Sequence, residues 1–472
     1  MTRDGLYTHA ELHRLLSPRS VAIVGVSPNA AAFGSRVMAN LEAAQFAGTV
    51  FPVNARYERI GERVCYPSIE ALPESPDCVL IAVPREAVPP IVAECAARRA
   101  GGVVVLSSGF AETGKAGRRE QQDHMLELAR AARMPLVGPN CIGMINYNIG
   151  LLATFQLVPQ AGPPSEPGIG ILSQSGALAL ALVQDVAHGP VFSHVLTSGN
   201  ASDVDVADHI AYLAAESSCK AIACVFEGLR QPERLLAAAQ CAHAAGKPLV
   251  VYKTGVSERG TAAALVHTGS RAGSRVEYQA LFKRAGIVAV DNFEALLETT
   301  TFLAKAGRPK AAGVAVVATS GGAGIMAADK AEQYGVSLPQ PRPAVRAVLE
   351  GVIPEFGSTQ NPCDVTAQVL SSPEGIYASV DAFMGDDSYG AMVVPHVFAY
   401  DPSTERFKVY SEAAARHGKI ACVAWVSEHL EERGALVVER DPHLALFRSM
   451  ERCFAALAAW HELEAWRRSR GL

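Results

Sequence analysis

A single imidazole stands among small residues in the stretch LVHTGSRAG (265–273), where His267 is followed by Gly269 and Gly273 and preceded by Gly255 and Gly260. A neutral ring nitrogen is a nucleophile near pH 7, and the glycines make the segment pack poorly and bend easily. Two other stretches offer a different chemistry. In GIGILSQSGALALALV (168–183) and GVAVVATSGGAGIMAA (313–328) an apolar run ends in a turn of glycines and small polar residues. Such a turn, entering a helix, presents free backbone N–H groups and the positive end of the helix dipole, which favours phosphate or another anion. Glycines of this kind serve close packing as readily as binding, so one turn alone decides nothing. A third turn of the same form, SVAIVGVSPNAAAFGS (20–35), lacks the G-x-G-x-x-G spacing of a dinucleotide fingerprint, and no G-x-x-x-x-G-K-[ST] occurs in the chain.

Each of these turns needs a strand before it and a helix after it. The apolar runs that end at 24, 173 and 318 read as buried strands, and the residues that follow read as first helical turns. More buried strands alternate with helical stretches: CVLIAVP (78–84), GGVVVLSSG (101–109), KAIACVFEG (220–228) and KPLVVYKTG (247–255). Alternation of this kind predicts an α/β fold with parallel sheets covered on both faces. Three openings predict three consecutive units, 1–148, 149–306 and 307–472. The Pro/Gly loop VPQAGPPSEPG (158–168) leads into the second, and AKAGRPKAAG (304–313) serves as linker to the third. Ligands are expected outside the carboxyl ends of the strands.

Composition narrows the partners. The chain is 472 residues long, enough for two to four domains. Its 42 basic and 47 acidic residues leave a formal charge of −5, which gives no footprint for nucleic acid or an anionic membrane. Ten cysteines contain no C-x-x-C pair, so neither a zinc site nor a disulfide framework is signalled, and a reduced, cytoplasmic setting is expected. The N-terminal MTRDGLYTHAELHRLL is polar and lacks an apolar signal core, and no apolar run reaches the length of a membrane span. No metal site is expected on this chain.

Taken in order, SVAIVGVS, FPVNARYERIGERVCYPSI, VLIAVPREAVP, SSGFAETG, VGPNCIGMIN, ILSQSGAL, SGNASDVDVAD, VFEGL, HTGSRAGS and SGGAGIMAAD form a pattern that spans about residues 15–470. This pattern resembles the α subunit of NDP-forming acyl-CoA synthetases, of the ADP-forming acetate–CoA ligase type, and more distantly succinyl-CoA synthetase. The resemblance implies a Rossmann-like CoA-binding domain followed by two flavodoxin-like ligase domains. It also implies an ATP-grasp module. Three units fill the chain, so that module is expected as a separate β subunit in an α2β2 complex, with Mg²⁺ and ATP or ADP held in the partner. Carboxylic acid or acyl-CoA is the implied substrate.

Site residues follow from the resemblance position by position. His267 matches the histidine that carries a phosphoryl group, and Glu227 matches the glutamate that orients its ring. Ser173, Gln174, Ser175 and Gly176 match one helix N-terminus that cradles phosphate; Gly321, Gly322, Ala323 and Gly324 match a second. Gly25, Ser27, Gly34 and Ser35 should approach the nucleotide end of coenzyme A. Asn54 and Arg56 fall at a polar contact where lysine is commoner than arginine. Ser108, Gly109 and Phe110 should line the pantetheine path, and Asn140 should lie near the thioester. Cys141 beside it is not expected to be a nucleophile, because the family uses phosphate, CoA and histidine.

Two departures stand out. Arg271 replaces a leucine in the segment after the histidine, which either selects an acid with a second anionic group or faces solvent. Leu180 replaces a polar aromatic of succinyl-CoA synthetase and argues against succinate handled in the same way. Two other functions share parts of the pattern: a catalytically silent CoA-binding regulatory protein, and an NAD-dependent dehydrogenase. The presence of both His267 and Glu227 counts against the first, and the missing dinucleotide fingerprint against the second.

Overall fold

The computed structural model describes residues 3, 5–159, 161–184, 189–268, 273–367, 374–400, 404–429 and 433–472, with the backbone alone for 265–268. The chain divides into two compact units, one ending at Phe293 and the other running Glu294–Leu472.

The first unit holds two large sheets and a short antiparallel ribbon that pairs Arg59–Ile60 with Arg63–Val64. In the first sheet, β1 (Ser20–Val24), β2 (Thr49–Val53), β3 (Cys78–Ile81), β4 (Val103–Val105) and β5 (Leu136–Val137) are all parallel, in the order β2-β1-β3-β4-β5. Every residue of β1, β3 and β4 is buried, which is why these strands read as unbroken apolar runs instead of alternating ones.

The second sheet takes β6 (Gly143–Asn146), β7 (Leu151–Thr154), β8 (Gly168–Ser173), β9 (Phe192–Thr197), β10 (Cys219–Phe226), β11 (Leu249–Lys253) and β12 (Val288–Val290), in the order β12-β11-β10-β8-β9-β6-β7. Five strands are parallel. The hairpin β6–β7 joins antiparallel to β9, turning at Gly150 with φ 65°. The position 148 therefore falls inside a hairpin of the second sheet. The apolar runs GMIN and LLAT each bury all four residues by extending that sheet at β9. One apolar core runs through both sheets, with Leu80 and Val137 from the first and Leu172 and Ile222 from the second.

The second unit begins with a helix, Glu294–Ala306, whose buried face packs Phe302 against Phe447 and Trp460. Its sheet is parallel throughout: β13 (Gly313–Ala318), β14 (Cys363–Asp364), β15 (Tyr389–His396), β16 (Ile420–Trp425) and β17 (Leu444–Phe447), in the order β14-β13-β15-β16-β17.

Setting the added hairpin aside, all three sheets share one strand order, 2-1-3-4-5. The three glycine turns seen in the sequence each follow the first strand of their sheet. That strand is where the order reverses, so each turn opens onto a topological switch point, the crevice in which α/β sheets bind ligands. Among the described residues no helix is long and apolar enough to cross a membrane.

Candidate active site

At the switch point of the first sheet lies a cavity of about 650 Å³, within the range of small-molecule sites. Gly25, Ser27, Asn54 and Arg56 line it together. The turn after β1 is built around Gly25. Its φ is 101°, and a Cβ there would stand 2.4 Å from the Ala82 carbonyl oxygen, so only glycine fits. Helix α1 (Phe33–Ala43) closes on this turn. A Cβ on Gly34 would meet the Gly25 backbone at 2.8 Å, and Ser35 Oγ accepts from Ser27 N at 3.1 Å and donates to Ser27 O at 2.8 Å. Asn54 ties the second strand to the same turn: Nδ2 donates to Val26 O at 2.7 Å and Oδ1 accepts from Arg56 N at 3.0 Å. Both ends of its amide are thus used in shaping the pocket. Arg56 is exposed at the cavity and places a positive charge at its rim.

Of the three residues expected on the pantetheine path, Ser108 is exposed and Gly109 half-buried, while Phe110 turns inward. Phe110 is fully buried in the core beside Val88, Val92 and Met125, so its side chain lines no ligand path. An aromatic next to a small-residue turn is placed by the apolar volume available beneath it. The turn itself is held by a residue the sequence reading missed. Glu112 accepts from the amide of Phe110 at 3.1 Å and from that of Gly109, while its other oxygen accepts from Asn200 Nδ2 at 2.6 Å. Asn140, in a left-handed conformation with φ 56°, donates from Nδ2 to Asn200 Oδ1 at 3.3 Å. Glu112, Asn140 and Asn200 therefore lace three loops together. The thiol of Cys141 is buried, lies 3.4 Å from the Val105 carbonyl oxygen and is pushed up to about 12 by burial, which makes it inert as a nucleophile.

At the second switch point, β8 runs through Gln174 and Ser175 into helix α2 (Gly176–Leu182). Ser173 is fully buried and its hydroxyl bonds Ser175 O at 2.7 Å. Gln174 has a structural task. Its Oε1 accepts from Glu227 N at 2.6 Å and Gly228 N at 3.1 Å, and its Nε2 donates to Gly228 O at 2.8 Å. Neither side chain is available to cradle phosphate, because burial obliges each to bond its own backbone surroundings. Ser175 caps the helix through Leu178 N at 3.4 Å, and the first amides, Gly176 and Ala177, have no partner within the helix. Gly176 is required by contact: a Cβ would stand 2.4 Å from Ile142 Cγ2.

Glu227 follows β10, and Gln174 fixes its backbone on one side. On the other side its carbonyl accepts from Lys253 Nζ, which also bonds Thr254 O. Lys253 closes β11, is buried, lies 4.8 Å from the Tyr278 ring centre, and is held down to about 8 by burial, with Glu227 opposing. In the sequence, the only mark of this lysine is a charged residue ending the apolar run of KPLVVYKTG.

His267 lies in the last turn of helix α3 (Glu258–Thr268). The backbone before it is helical, not a loop, because Ala262–Ala264 and Leu265 are strong helix formers. Gly269, Ser270, Arg271 and Ala272 lie outside the described residues. A cavity of about 790 Å³ opens beside α3, lined by Leu229, Ser257, Thr261, Arg275 and Tyr278 among others.

In the second unit, Gly321, Gly322, Ala323 and Gly324 open a helix, Gly321–Tyr334. Gly321 and Gly322 are exposed; Ala323 and Gly324 are buried, and a Cβ on Gly324 would touch Pro362 at 3.4 Å. Only the first pair can meet a ligand. The Asp364 carboxylate lies 3.0 Å from where a Gly321 Cβ would be, so the opening already carries one anion.

The chain matches two known families: the CoA binding domain over residues 19–147 and the succinyl-CoA ligase like flavodoxin domain over residues 166–303. It is 36% identical to acetate–CoA ligase [ADP-forming] I of Archaeoglobus fulgidus over 77% of this chain and 54% of the relative, so it spans little more than half of that protein. It is 31% identical to the α subunit of acetate–CoA ligase [ADP-forming] II of Pyrococcus furiosus, over 91% of this chain and 93% of that subunit. Among solved structures, the dinucleotide-forming acetyl-coenzyme A synthetase 1 of Ca. Korarchaeum cryptofilum, in complex with phosphate and ADP, superposes with a TM-score of 0.87. That match has 26% identity and covers 98% of this chain and 99% of the other.

Proposed function

The chain belongs to the family of ADP-forming acetate–CoA ligases and their α subunits, and from that premise we propose that it is the α subunit of an NDP-forming acid–CoA ligase. The observation that carries this reading is the cavity shaped by Gly25, Ser27, Asn54 and Arg56 in the same compact unit as the helix that bears His267. One unit then holds both the CoA site and the phosphoryl carrier.

The reaction has three reversible steps. Phosphate attacks the acyl-CoA carbonyl and CoA leaves as its thiol, giving acyl phosphate. A neutral ring nitrogen of His267 attacks that phosphorus, and the carboxylate leaves. The phosphohistidine then passes its phosphoryl group to a nucleoside diphosphate. Glu227 orients the imidazole, and Gln174 and Lys253 hold the Glu227 backbone in place from either side. The amides of Gly176 and Ala177 offer hydrogen bonds to phosphoryl oxygens; the second unit by itself carries a helix opening of the same kind at Gly321 and Gly322. An ATP-grasp β subunit, in an α2β2 complex, supplies the nucleotide and its Mg²⁺. A cytoplasmic enzyme fits ten cysteines that are all unpaired.

The test is phosphoryl transfer. The complex with its partner, incubated with γ-labelled ATP and Mg²⁺, should place acid-labile, base-stable label on this chain. His267→Ala should remove the label and turnover while CoA binding persists. The chain alone should accept label from acyl phosphate but show no ATP-dependent ligation. Normal labelling of His267→Ala would end the assignment.

A further inference from the structure

The first unit contains a second cluster of chemically competent side chains, far in sequence from those used above. His9 and His13 stand one turn apart on the N-terminal helix His9–Leu16, so both project from one face. Glu216 follows the helix Val206–Ala215 and meets them. His9 Nε2 lies 2.6 Å and His13 Nδ1 3.7 Å from the same carboxylate oxygen, and the three ligand atoms all fall within 4.8 Å of one another.

The arrangement is held before any ligand arrives. The His9 ring stacks on Tyr212 at 4.7 Å between centres and 5° between planes, and the Tyr212 hydroxyl is 3.3 Å from His13 Nδ1. Lys247 Nζ bonds the Glu216 carbonyl oxygen, fixing the backbone from which the carboxylate projects. The N-terminal helix is anchored by the buried side chains of Leu12, Leu15 and Leu16 and by a capping box between Thr8 and Glu11. Just ahead of it, Tyr7 OH donates to Asp203 at 2.7 Å and Tyr7 N to Asp208 at 2.9 Å.

We propose that His9, His13 and Glu216 form a binding site for a divalent transition metal of the zinc class, which fastens the N-terminal helix to the end of the helix Val206–Ala215. Two imidazoles and one carboxylate are a borderline-soft donor set that suits zinc, cobalt or nickel and not Mg²⁺ or Ca²⁺. With metal–ligand bonds of about 2.0–2.1 Å, tetrahedral donors stand roughly 3.3 Å apart. The observed 2.6 and 3.7 Å bracket that spacing, so a small shift of the carboxylate admits the ion. His13 is half exposed, which leaves an entry path and a fourth position for water. Because His9 and Glu216 are 207 residues apart, an unfolded chain cannot assemble the site, and binding stabilises the native unit. This metal is separate from the Mg²⁺ that accompanies the nucleotide.

The test uses the full chain purified without a polyhistidine tag and stripped with a chelator. Titration with Co²⁺ should give the visible absorption of a tetrahedral N,O site, saturating at one ion per chain and displaced by Zn²⁺. Saturation should raise the melting temperature of the first unit by about 2–5 °C. His13→Ala and, separately, Glu216→Gln should weaken Co²⁺ binding by at least about tenfold and remove the thermal shift. Retained CoA binding shows that each variant is folded, and His9→Gln replaces any that is not. Absence of stoichiometric Co²⁺ binding, or binding unchanged by these substitutions, would overturn the proposal and leave an ion pair.

Discussion

The first and third sheets share one strand order, and their opening turns stand at the same topological position, yet the cavities described at their strand ends differ greatly in size. In the first sheet, β1 gives way to Gly25, the neighbouring β3 is followed by Ala82, Val83 and Pro84, and a cavity of about 650 Å³ remains. In the third, β13 gives way to Thr319, and the neighbouring strand ends in His396, Val397 and Phe398. Among the described residues, the cavity that Thr319, His396 and Phe398 line has a volume of about 10 Å³, room for a single water. The His396 ring fills it from beneath, 4.8 Å from Phe407 and 4.6 Å from Trp425. Topology offers a crevice at every switch point; side-chain volume at the strand ends decides how much space lies between those ends.

The contrast is broken most strongly by adding one methyl group. Gly25→Ala puts a Cβ against the Ala82 backbone in a conformation that alanine resists, at a cost of roughly 3–5 kcal/mol. CoA affinity measured by calorimetry should fall by roughly 100-fold or more. The matching change in the third sheet, Gly321→Ala, meets only the tip of the Asp364 side chain and should leave CoA affinity unchanged. Similar losses in both variants would show that the two turns are equivalent after all.

Acid should separate the two units next. In the second unit burial lowers His461; it holds His194 and His209 in the first unit, and His396 in the second, down to about 4. Each is neutral when folded and takes up a proton when unfolded between about pH 6.5 and 4. Its stabilisation is complete above that window and fades as pH falls through it, by about 2 kcal/mol per histidine from pH 7 to pH 5. Glu298 in the second unit is raised to about 7 by burial, so it is protonated in the fold at pH 5 while its unfolded counterpart is ionised, and it gains about as much as His396 loses. In the first unit, Asp205, raised by burial and by Asp208, returns only part of the loss. Calorimetry at pH 7 and pH 5 should therefore show the first unit's transition, marked by its response to CoA, falling further than the second. Equal shifts would refute this account of the buried groups.

The smallest effect expected is at Asn54. Asn54→Ala removes the bonds to Val26 O and Arg56 N without adding bulk, and should weaken CoA binding by about tenfold. An unchanged dissociation constant would mean that the cavity is shaped by the backbone alone.

Much of the local structure was legible in the residues. Unbroken apolar runs gave buried parallel strands, and each glycine turn opened a helix, because strand burial and helix entry are governed by neighbouring residues. The reading was weaker wherever a side chain's role depends on distant partners. Phe110 sits beside a turn but belongs to the core. Gln174 lies in a glycine turn but spends its amide on Glu227 and Gly228, more than fifty positions away. Lys253, Glu112 and Asn200 had no local signal beyond being polar at the ends of apolar runs or within small-residue turns.

By itself, the sequence determined the α/β class, the three opening turns and the segment that carries His267, since periodicity, glycine conformation and helix propensity act over a few residues. Only the tertiary structure decided how large a cavity Gly25, Asn54 and Arg56 enclose, that the hairpin β6–β7 joins the second sheet, and that His9 and His13 meet Glu216 across 200 residues of chain. Those outcomes depend on volumes and donors brought together from distant segments, and such contacts exist only once the sheets have packed.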